Sequence, residues 1–250
     1  MSKPNKVKTK KINQTKPVSI KNMLKNLVFY VLLVFFISSV GLCVLLRWLP
    51  APTSTFMLYR HYEDLVSGQG YASIDYRWVS GKNISPNASS AVIAAEDQQF
   101  FLHSGFDVPS IQASINVYLN GGRLRGASTI SQQVAKNLFL TPSKSFIRKG
   151  LEVWFTFLIE RLWSKDRILE MYLNIAEFGD HIFGIEAASQ RHFGISAKQL
   201  SKPQAALLAA TLPNPIRFQV RHPTSYVLKR QRWILRQIHN MGYTMHSILK

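Results

Sequence analysis

Twenty consecutive uncharged residues, from Leu27 to Leu46, form the longest apolar run in the chain. A helix of this length crosses a hydrocarbon core about 30 Å thick. A buried core helix would normally show a polar stripe along one face. This run has no such stripe, because Ser38, Ser39 and Gly41 are the residues that interrupt its apolar character. A cleaved signal peptide usually has a shorter apolar run and a small-residue cleavage site. The pattern therefore predicts a retained transmembrane helix.

From Ser89 onward the hydrophobic pattern is helical, whereas residues 50–85 are interrupted by prolines and glycines and predict an irregular lead-in with one short strand near 76–79. Caps, prolines and glycines divide the helical region. The predicted helices span 88–105, 109–119, 128–138, 141–163, 165–174, 185–193, a segment starting at 201, and 224–240. The sequence thus predicts a mainly α-helical single domain after the membrane span.

The charges next to the span predict its orientation. Residues 1–26 contain eight lysines and no acidic residue, a composition that predicts a disordered tail. The nearest basic residues after the span are only Arg47 and Arg60, so the N-terminus should lie in the cytoplasm. Trp48 stands where an interfacial aromatic residue belongs. The rest of the chain is then expected outside the cytoplasm.

This placement changes the interpretation of the net charge. A charge of +18 and a pI near 10.2 would ordinarily suggest a nucleic-acid partner. Outside the inner membrane, anionic lipid headgroups or a phosphorylated substrate are better partners, and no nucleic acid is expected. The single cysteine, Cys43, lies within the span, so the domain has no disulfide framework.

The segment EDQQFFLHSG, which begins at Glu96, contains a candidate general base. On the predicted helix, Glu96, Phe100 and His103 share one face. Desolvation beside Phe100 would raise the pKa of the carboxyl group, and nearby lysines would lower it. An acidic helix turn with a core phenylalanine and a surface histidine explains the same pattern.

A second polar segment, GASTISQQVAKN, follows after a glycine-rich loop. On a helix that starts near Ser128, Gln132, Gln133 and Lys136 can converge on one anionic group, assisted by the free N–H groups of the first turn. A solvated polar helix face is the alternative.

A third segment, RKGLE, places Arg148 and Lys149 four and three residues before Glu152. An intrahelical ion pair explains this spacing equally well. In the fourth segment, KDRILEMYLN, the apolar positions and Tyr172 are expected in the core.

Together with EAASQRHFG, these motifs resemble glycosyltransferase family 51, the biosynthetic peptidoglycan transglycosylases, over roughly residues 48–242. NIAEFGD and LLAATLPNP are similar to the monofunctional Gram-negative type. The resemblance implies one transmembrane helix followed by a lysozyme-like α-helical glycosyltransferase domain. The implied divisions are a basic tail (1–26), the span (27–46), a lead-in (47–88), the catalytic domain (89–242) and a C-terminal tail (243–250).

The resemblance also implies roles for matching residues. Glu96 matches the general base and Glu152 the second catalytic glutamate. The positions that match substrate or pyrophosphate contacts are Ser128, Gln133, Lys136, Lys144, Arg148 and Lys149. Two positions depart from the family pattern: Lys144 replaces a usual arginine, which loses a bidentate contact, and His192 replaces a frequent tyrosine.

The implied activity is polymerisation of lipid II into β-1,4-linked glycan, in which an inverting displacement releases polyprenyl pyrophosphate for cell-wall synthesis. The implied partners are lipid II, the growing glycan-polyprenyl pyrophosphate and membrane lipids. The resemblance implies that no cofactor or metal is required, although Mg²⁺ or Mn²⁺ can assist the reaction. It also allows cell-division or wall-synthesis proteins as further partners. The implied location is the inner membrane, with a periplasmic domain.

Two other functions are compatible with parts of the pattern. A lytic muramidase shares the lysozyme-like fold but needs no cationic clamp for pyrophosphate. A wall-synthesis scaffold without catalytic activity would not need the motif glutamates and lysines. The seven histidines show no zinc-ligand spacing.

Overall fold

The computed structural model describes residues 20–68, 70–122, 126, 128–143 and 145–248, with side chains as far as 241. The predicted phosphate contact Lys144 and the loop residues Arg123 and Arg125 lie outside the described residues. The helices are α1 (Ile20–Leu46), α2 (Thr55–Ser67), α3 (Pro86–Glu96), α4 (Val108–Leu119), α5 (Ile130–Phe139), α6 (Phe146–Leu162), α7 (Lys165–Ile175), α8 (Ile185–Phe193), α9 (Lys202–Thr211) and α10 (Ser225–Ile248). The strands are β1 (Asp75–Tyr76), β2 (Glu177–Gly179) and β3 (Ile182–Phe183). The mainly α prediction is confirmed.

The chain divides into two compact units between Gly41 and Leu42. In the first unit, α1 is long and apolar enough to cross a membrane. In the second, α5 packs against α6 and α7, while α9 packs against α3 and α10. Ile130 of α5 and Ile168 of α7 are fully buried in the core between these helices. This packing places the ends of α3 and α5 together, where the candidate site lies.

The last turn of α1 belongs to the second unit. Cys43 is fully buried there, and its carbonyl oxygen accepts a hydrogen bond from the Trp163 indole Nε1 at 2.7 Å. The carbonyl oxygen of Leu46 accepts one from Arg167 Nη2 at 2.8 Å. The Leu46 carbonyl lies at the helix end, where carbonyl groups lack partners within the helix, whereas the Cys43 carbonyl also accepts a hydrogen bond from the Arg47 backbone N–H at 3.1 Å.

The prediction of an irregular lead-in is wrong over α2. Ser54 caps this helix by accepting a hydrogen bond from the Met57 backbone N–H. The guanidinium of Arg60 binds both carboxylate oxygens of Glu177, at 2.9 and 2.8 Å. The helix is thus stabilised by partners 117 residues away in sequence, which local patterns do not indicate.

The strand predicted at 76–79 occurs slightly earlier, as β1. It pairs in parallel with β3, which pairs antiparallel with β2. The β2–β3 hairpin was not predicted. Gly184 follows it with φ +84°, and an added Cβ would lie 2.6 Å from the Asn174 carbonyl oxygen, so only glycine fits at this position.

The prediction of one helix from 88 to 105 is wrong beyond Glu96. Asp97 leaves the helix with φ −159°, and turns follow to Gly105. Glu96, Phe100 and His103 therefore do not share a helix face. Two other bounds differ: α6 begins at Phe146 rather than near Thr141, because Ser145 provides the cap, and α10 extends beyond residue 240.

Candidate active site

Glu96 lies at the last position of α3, with 15% of its side chain exposed. Its Oε2 accepts a hydrogen bond from Gln133 Nε2 at 3.0 Å, and its Oε1 accepts one from Arg230 Nη2 at 3.1 Å. Burial raises the pKa of Glu96, and the Gln133 hydrogen bond and the charges of Arg230 and Lys136 oppose this rise. A buried carboxyl group with a raised pKa is suited to general acid–base chemistry.

Arg230 is the functional residue that the sequence analysis missed. It comes from α10, 134 residues after Glu96. Its Nη2 also donates to the Ala95 carbonyl oxygen at 3.3 Å, so it binds the end of α3 as well as the carboxylate. The same helix also carries Lys229, Arg232 and Arg236, and no local sequence signal distinguishes Arg230 from these three residues.

A buried network joins the turn after Glu96 to the start of α5. Asp97 Oδ2 accepts a hydrogen bond from the Ile130 backbone N–H at 3.0 Å, and His103 Nε2 lies 3.0 Å from Asp97 Oδ1. The Gly105 backbone N–H donates to His103 Nδ1, so Nε2 carries the proton and donates to Asp97. Thr129 Oγ1 donates to the Gly105 carbonyl oxygen at 2.6 Å. The network holds α3 and α5 in fixed register.

The first turn of α5 is capped by its own residues. Thr129 and Gln132 form a reciprocal capping box, and Gln132 is 5% exposed. Asp97 already occupies the Ile130 N–H. The sequence expectation that Gln132 and the free N–H groups of this turn bind an anion is therefore wrong. Gln133 and Lys136, which lie on another face, point toward the carboxylates instead.

A second charged cluster lies on α6. Glu152 is 3% exposed; its Oε2 accepts a hydrogen bond from Arg148 Nη1 at 2.6 Å, and its Oε1 pairs with Lys149 Nζ. The intrahelical ion pairs that the sequence spacing allowed are present. Burial lowers the pKa of Lys136 and Glu152 opposes this, while Arg148 and Lys149 lower it further.

Lys136 connects the two carboxylates because it interacts electrostatically with both Glu152 and Glu96. Its ammonium group lies 5.5 Å from the centre of the Phe56 ring, an aromatic contact from α2. Two cationic side chains thus pair with the buried carboxylate of Glu152, and Lys136 interacts electrostatically with this carboxylate and with that of Glu96. This arrangement provides net positive charge for a phosphate next to a base.

A cavity of about 450 Å³ opens beside Glu96. Ser128 lines it, as do Asp107 and Ser110 at the start of α4. The structure therefore brings Ser128 and Glu96 to one cavity and joins Gln133 and Lys136 to Glu96. Arg148, Lys149 and Glu152 join this group through Lys136.

His192 is half-buried near Arg191 and Arg221. Burial lowers its pKa, and the charges of the two arginines lower it further. Its ring nitrogens have no hydrogen-bond partner among the described residues. The side chain therefore contributes packing and no hydrogen bond among the described residues. No group of three metal-ligating side chains occurs within the part of the chain that the structure describes.

Comparison with known proteins identifies the family. The model of the Transglycosylase family matches residues 65–239. Biosynthetic peptidoglycan transglycosylases from three bacteria are similar to the chain. The Haemophilus influenzae protein is 53% identical over 210 residues, which cover 83% of this chain and 85% of that protein. The Pasteurella multocida protein is 52% identical over 214 residues, with 86% of each covered. The Pseudomonas putida GB-1 protein is 49% identical over 211 residues, which cover 84% of this chain and 89% of that protein.

The motifs, the mainly helical fold and these relatives together show that the chain belongs to the transglycosylase family.

Proposed function

We propose that this chain is a peptidoglycan glycosyltransferase that polymerises lipid II into β-1,4-linked glycan and releases polyprenyl pyrophosphate. The observation that carries the proposal is the pairing of two features. Glu96 is a half-buried carboxylate with a raised pKa, and Lys136 interacts electrostatically with it and with Glu152 of the cationic cluster on α6. The names of the relatives support the same activity.

In the proposed reaction, Glu96 takes the proton from the 4-hydroxyl group of the acceptor sugar. The oxygen forms a bond to the anomeric carbon of the donor, which is the growing strand. The bond from that carbon to pyrophosphate breaks, and the electron pair leaves with the pyrophosphate. One displacement at an α-linked donor gives a β-linked product.

The cationic side chains stabilise the charge that develops on the leaving pyrophosphate. Lys136, Arg148 and Lys149 take this role, and we assign Lys144 to a further phosphate contact. Glu152 holds Arg148 and Lys149 in place. Ser128 contacts substrate in the cavity, and Gln133 holds Glu96.

The proposal requires no cofactor. Glu96 and Glu152 are both paired with cationic side chains, so an assisting Mg²⁺ or Mn²⁺ would arrive with the pyrophosphate and not through these carboxylates. The chemistry this ion supplies is further neutralisation of phosphate charge.

Purified full-length protein should convert lipid II into long glycan and release polyprenyl pyrophosphate in equal amounts with each bond formed. Gel separation of labelled product and extraction of the released lipid measure both. Parallel reactions with Mg²⁺, Mn²⁺ and a chelator test the metal. A raised glutamate pKa also suits a glycosidase acid, so cleavage of preformed glycan without polymer formation would overturn the proposal in favour of a muramidase.

We also propose that the enzyme is a single-pass inner-membrane protein with a cytoplasmic N-terminus and a periplasmic domain that touches lipid. The span supports the anchor. On α6, Phe146 is 98% and Ile147 80% exposed, and Val153 and Phe157 continue this apolar face. An exposed apolar stripe on the helix that carries Arg148 and Lys149 suits contact with the bilayer that holds the substrate.

Removal of residues 1–41 should leave polymerisation of detergent-solubilised lipid II nearly unchanged but reduce it in liposomes by roughly tenfold or more, because the anchor raises the local enzyme concentration. Removal of residues 1–47 is the matched comparison. It also deletes the Cys43 and Leu46 carbonyl groups that accept hydrogen bonds from Trp163 and Arg167, so it should lower the midpoint of thermal unfolding as well. Equal activity of full-length and 42–250 protein in liposomes would contradict the role of the anchor.

A further inference from the structure

Tyr172 lies in α7 with 1% exposure, and its hydroxyl group reaches the candidate site. The hydroxyl donates to Gln133 Oε1 at 3.2 Å. The other end of the same amide, Nε2, donates to Glu96 Oε2 at 3.0 Å. Because the two ends of an amide differ, a donor at Oε1 determines which end faces the carboxylate.

We propose that Tyr172 is a positioning residue that acts through Gln133 and keeps the amide N–H directed at Glu96. The proposal rests on the proposed role of Glu96 as general base. The sequence analysis placed Tyr172 in the core, and its ring is buried there. Its hydroxyl group has the further task of orienting Gln133.

The chemistry of the phenol suits a permanent donor. Burial raises the pKa of Tyr172 well above its usual range, and the negative charge of Glu96 raises it further. The hydroxyl group therefore keeps its proton at every pH at which the enzyme works. Without it, the Gln133 amide loses the contact that fixes its Oε1 end, so the amide can turn away from Glu96 and the Nε2 hydrogen bond weakens.

Three elements present groups to Glu96. Gln133 and Lys136 approach from α5, Arg230 approaches from α10, and Tyr172 lies behind Gln133 on α7. Lys136 acts on Glu96 by charge, and Arg230 acts by charge and by a hydrogen bond; neither has a hydrogen bond to the Tyr172 hydroxyl among the described contacts. The Gln133 hydrogen bond favours ionised Glu96, so weakening this bond raises the pKa of Glu96.

Tyr172→Phe should therefore reduce kcat roughly five- to tenfold while KM stays within about twofold, since one hydrogen bond to the base is weakened and no substrate contact is lost. The acidic limb of the kcat/KM profile should move to higher pH, because a higher pKa leaves less ionised base at a given pH. Polymerisation of lipid II between weakly acidic and neutral pH measures both effects.

Tyr76→Phe is the matched control. Tyr76 is half-buried; partial burial raises the pKa of its hydroxyl group to about 12, and this group donates to the Ala51 carbonyl oxygen at 2.5 Å. This variant loses a comparable hydrogen bond with no link to Glu96. Tyr76→Phe should lower the midpoint of thermal unfolding without moving the acidic limb of the kcat/KM profile. An equal shift of that limb in both variants would show that Tyr172 affects the rate only through general structural stability.

A double-mutant cycle tests the Tyr172–Gln133–Glu96 hydrogen-bond chain, here called the relay, separately from the proposed function. Tyr172→Phe should have almost no further effect on kcat in a Gln133→Ala background. Additive effects, or an unmoved pH profile in Tyr172→Phe, would overturn the relay while Glu96 stays the base. Retained activity in Glu96→Gln would instead overturn the proposed base, and the relay with it.

Discussion

Glu96→Gln should reduce kcat for lipid II polymerisation by about 10³-fold or more, while the protein stays folded. The substitution keeps the size of the side chain and removes its ability to accept a proton, and general base catalysis typically contributes 10²–10⁴-fold. The amide must also present an N–H toward either Gln133 or Arg230, both of which donate to the carboxylate. A small loss of stability is expected from that mismatch.

The pH dependence provides an independent check on the base. Burial raises the pKa of Glu96, and the reaction requires the ionised form. The rate should therefore rise with pH through a value above that of an ordinary glutamate, and the residual activity of Glu96→Gln should lose this limb. Steady-state rates at several pH values test both variants. More than about a tenth of wild-type activity in folded Glu96→Gln would exclude its role as the base.

The helices that the sequence predicts most closely carry their signals locally. Thr129 and Gln132 cap α5 by a reciprocal pair, and Ser164 caps α7 by accepting a hydrogen bond from a backbone N–H three residues later. The Arg148, Lys149 and Glu152 spacing produces its ion pairs within α6 itself. Each of these features depends only on residues within one or two helical turns.

The features that sequence reasoning missed depend on distant partners. The 88–105 helix was predicted from local pattern, but the Asp97 carboxylate binds the N-terminus of α5, 33 residues later, and the chain turns to allow it. Arg60 holds α2 through Glu177. Arg230 reaches Glu96 across 134 residues. In each case a side chain far away in sequence decides the local structure or completes the site.

Glu152→Gln should reduce kcat by roughly 10²-fold, as for loss of one fixed group at a developing charge. It should destabilise the fold by about 2 kcal/mol, as for lost hydrogen bonds to a charged group, because Arg148 and Lys149 are partly exposed. Glu152 is 3% exposed and pairs with Arg148 and Lys149. Without it, these cations repel one another and lose their fixed positions. Chemical denaturation and steady-state kinetics measure the two losses.

Glu63→Gln is the matched control, because Glu63 pairs with Arg60 at 2.7 Å but has 41% of its side chain exposed. An exposed pair contributes about 0–1 kcal/mol, so neither stability nor kcat should change much. A similar loss in both variants would show that Glu152 has only a general electrostatic effect.

The basic limb of the pH profile distinguishes a positional role of Glu152 from one that acts through Lys136. Burial lowers the pKa of Lys136, and Glu152 is the largest influence that opposes this. In Glu152→Gln the pKa of Lys136 should fall further, so the lysine loses its proton, and its charge on the pyrophosphate, at lower pH. The decline of kcat at alkaline pH should then begin at lower pH than in the wild type.

A Lys136→Arg change in the Glu152→Gln background should restore the wild-type position of that alkaline limb, because arginine keeps its charge throughout this pH range. Failure of this rescue would assign the loss to the displaced Arg148 and Lys149 instead.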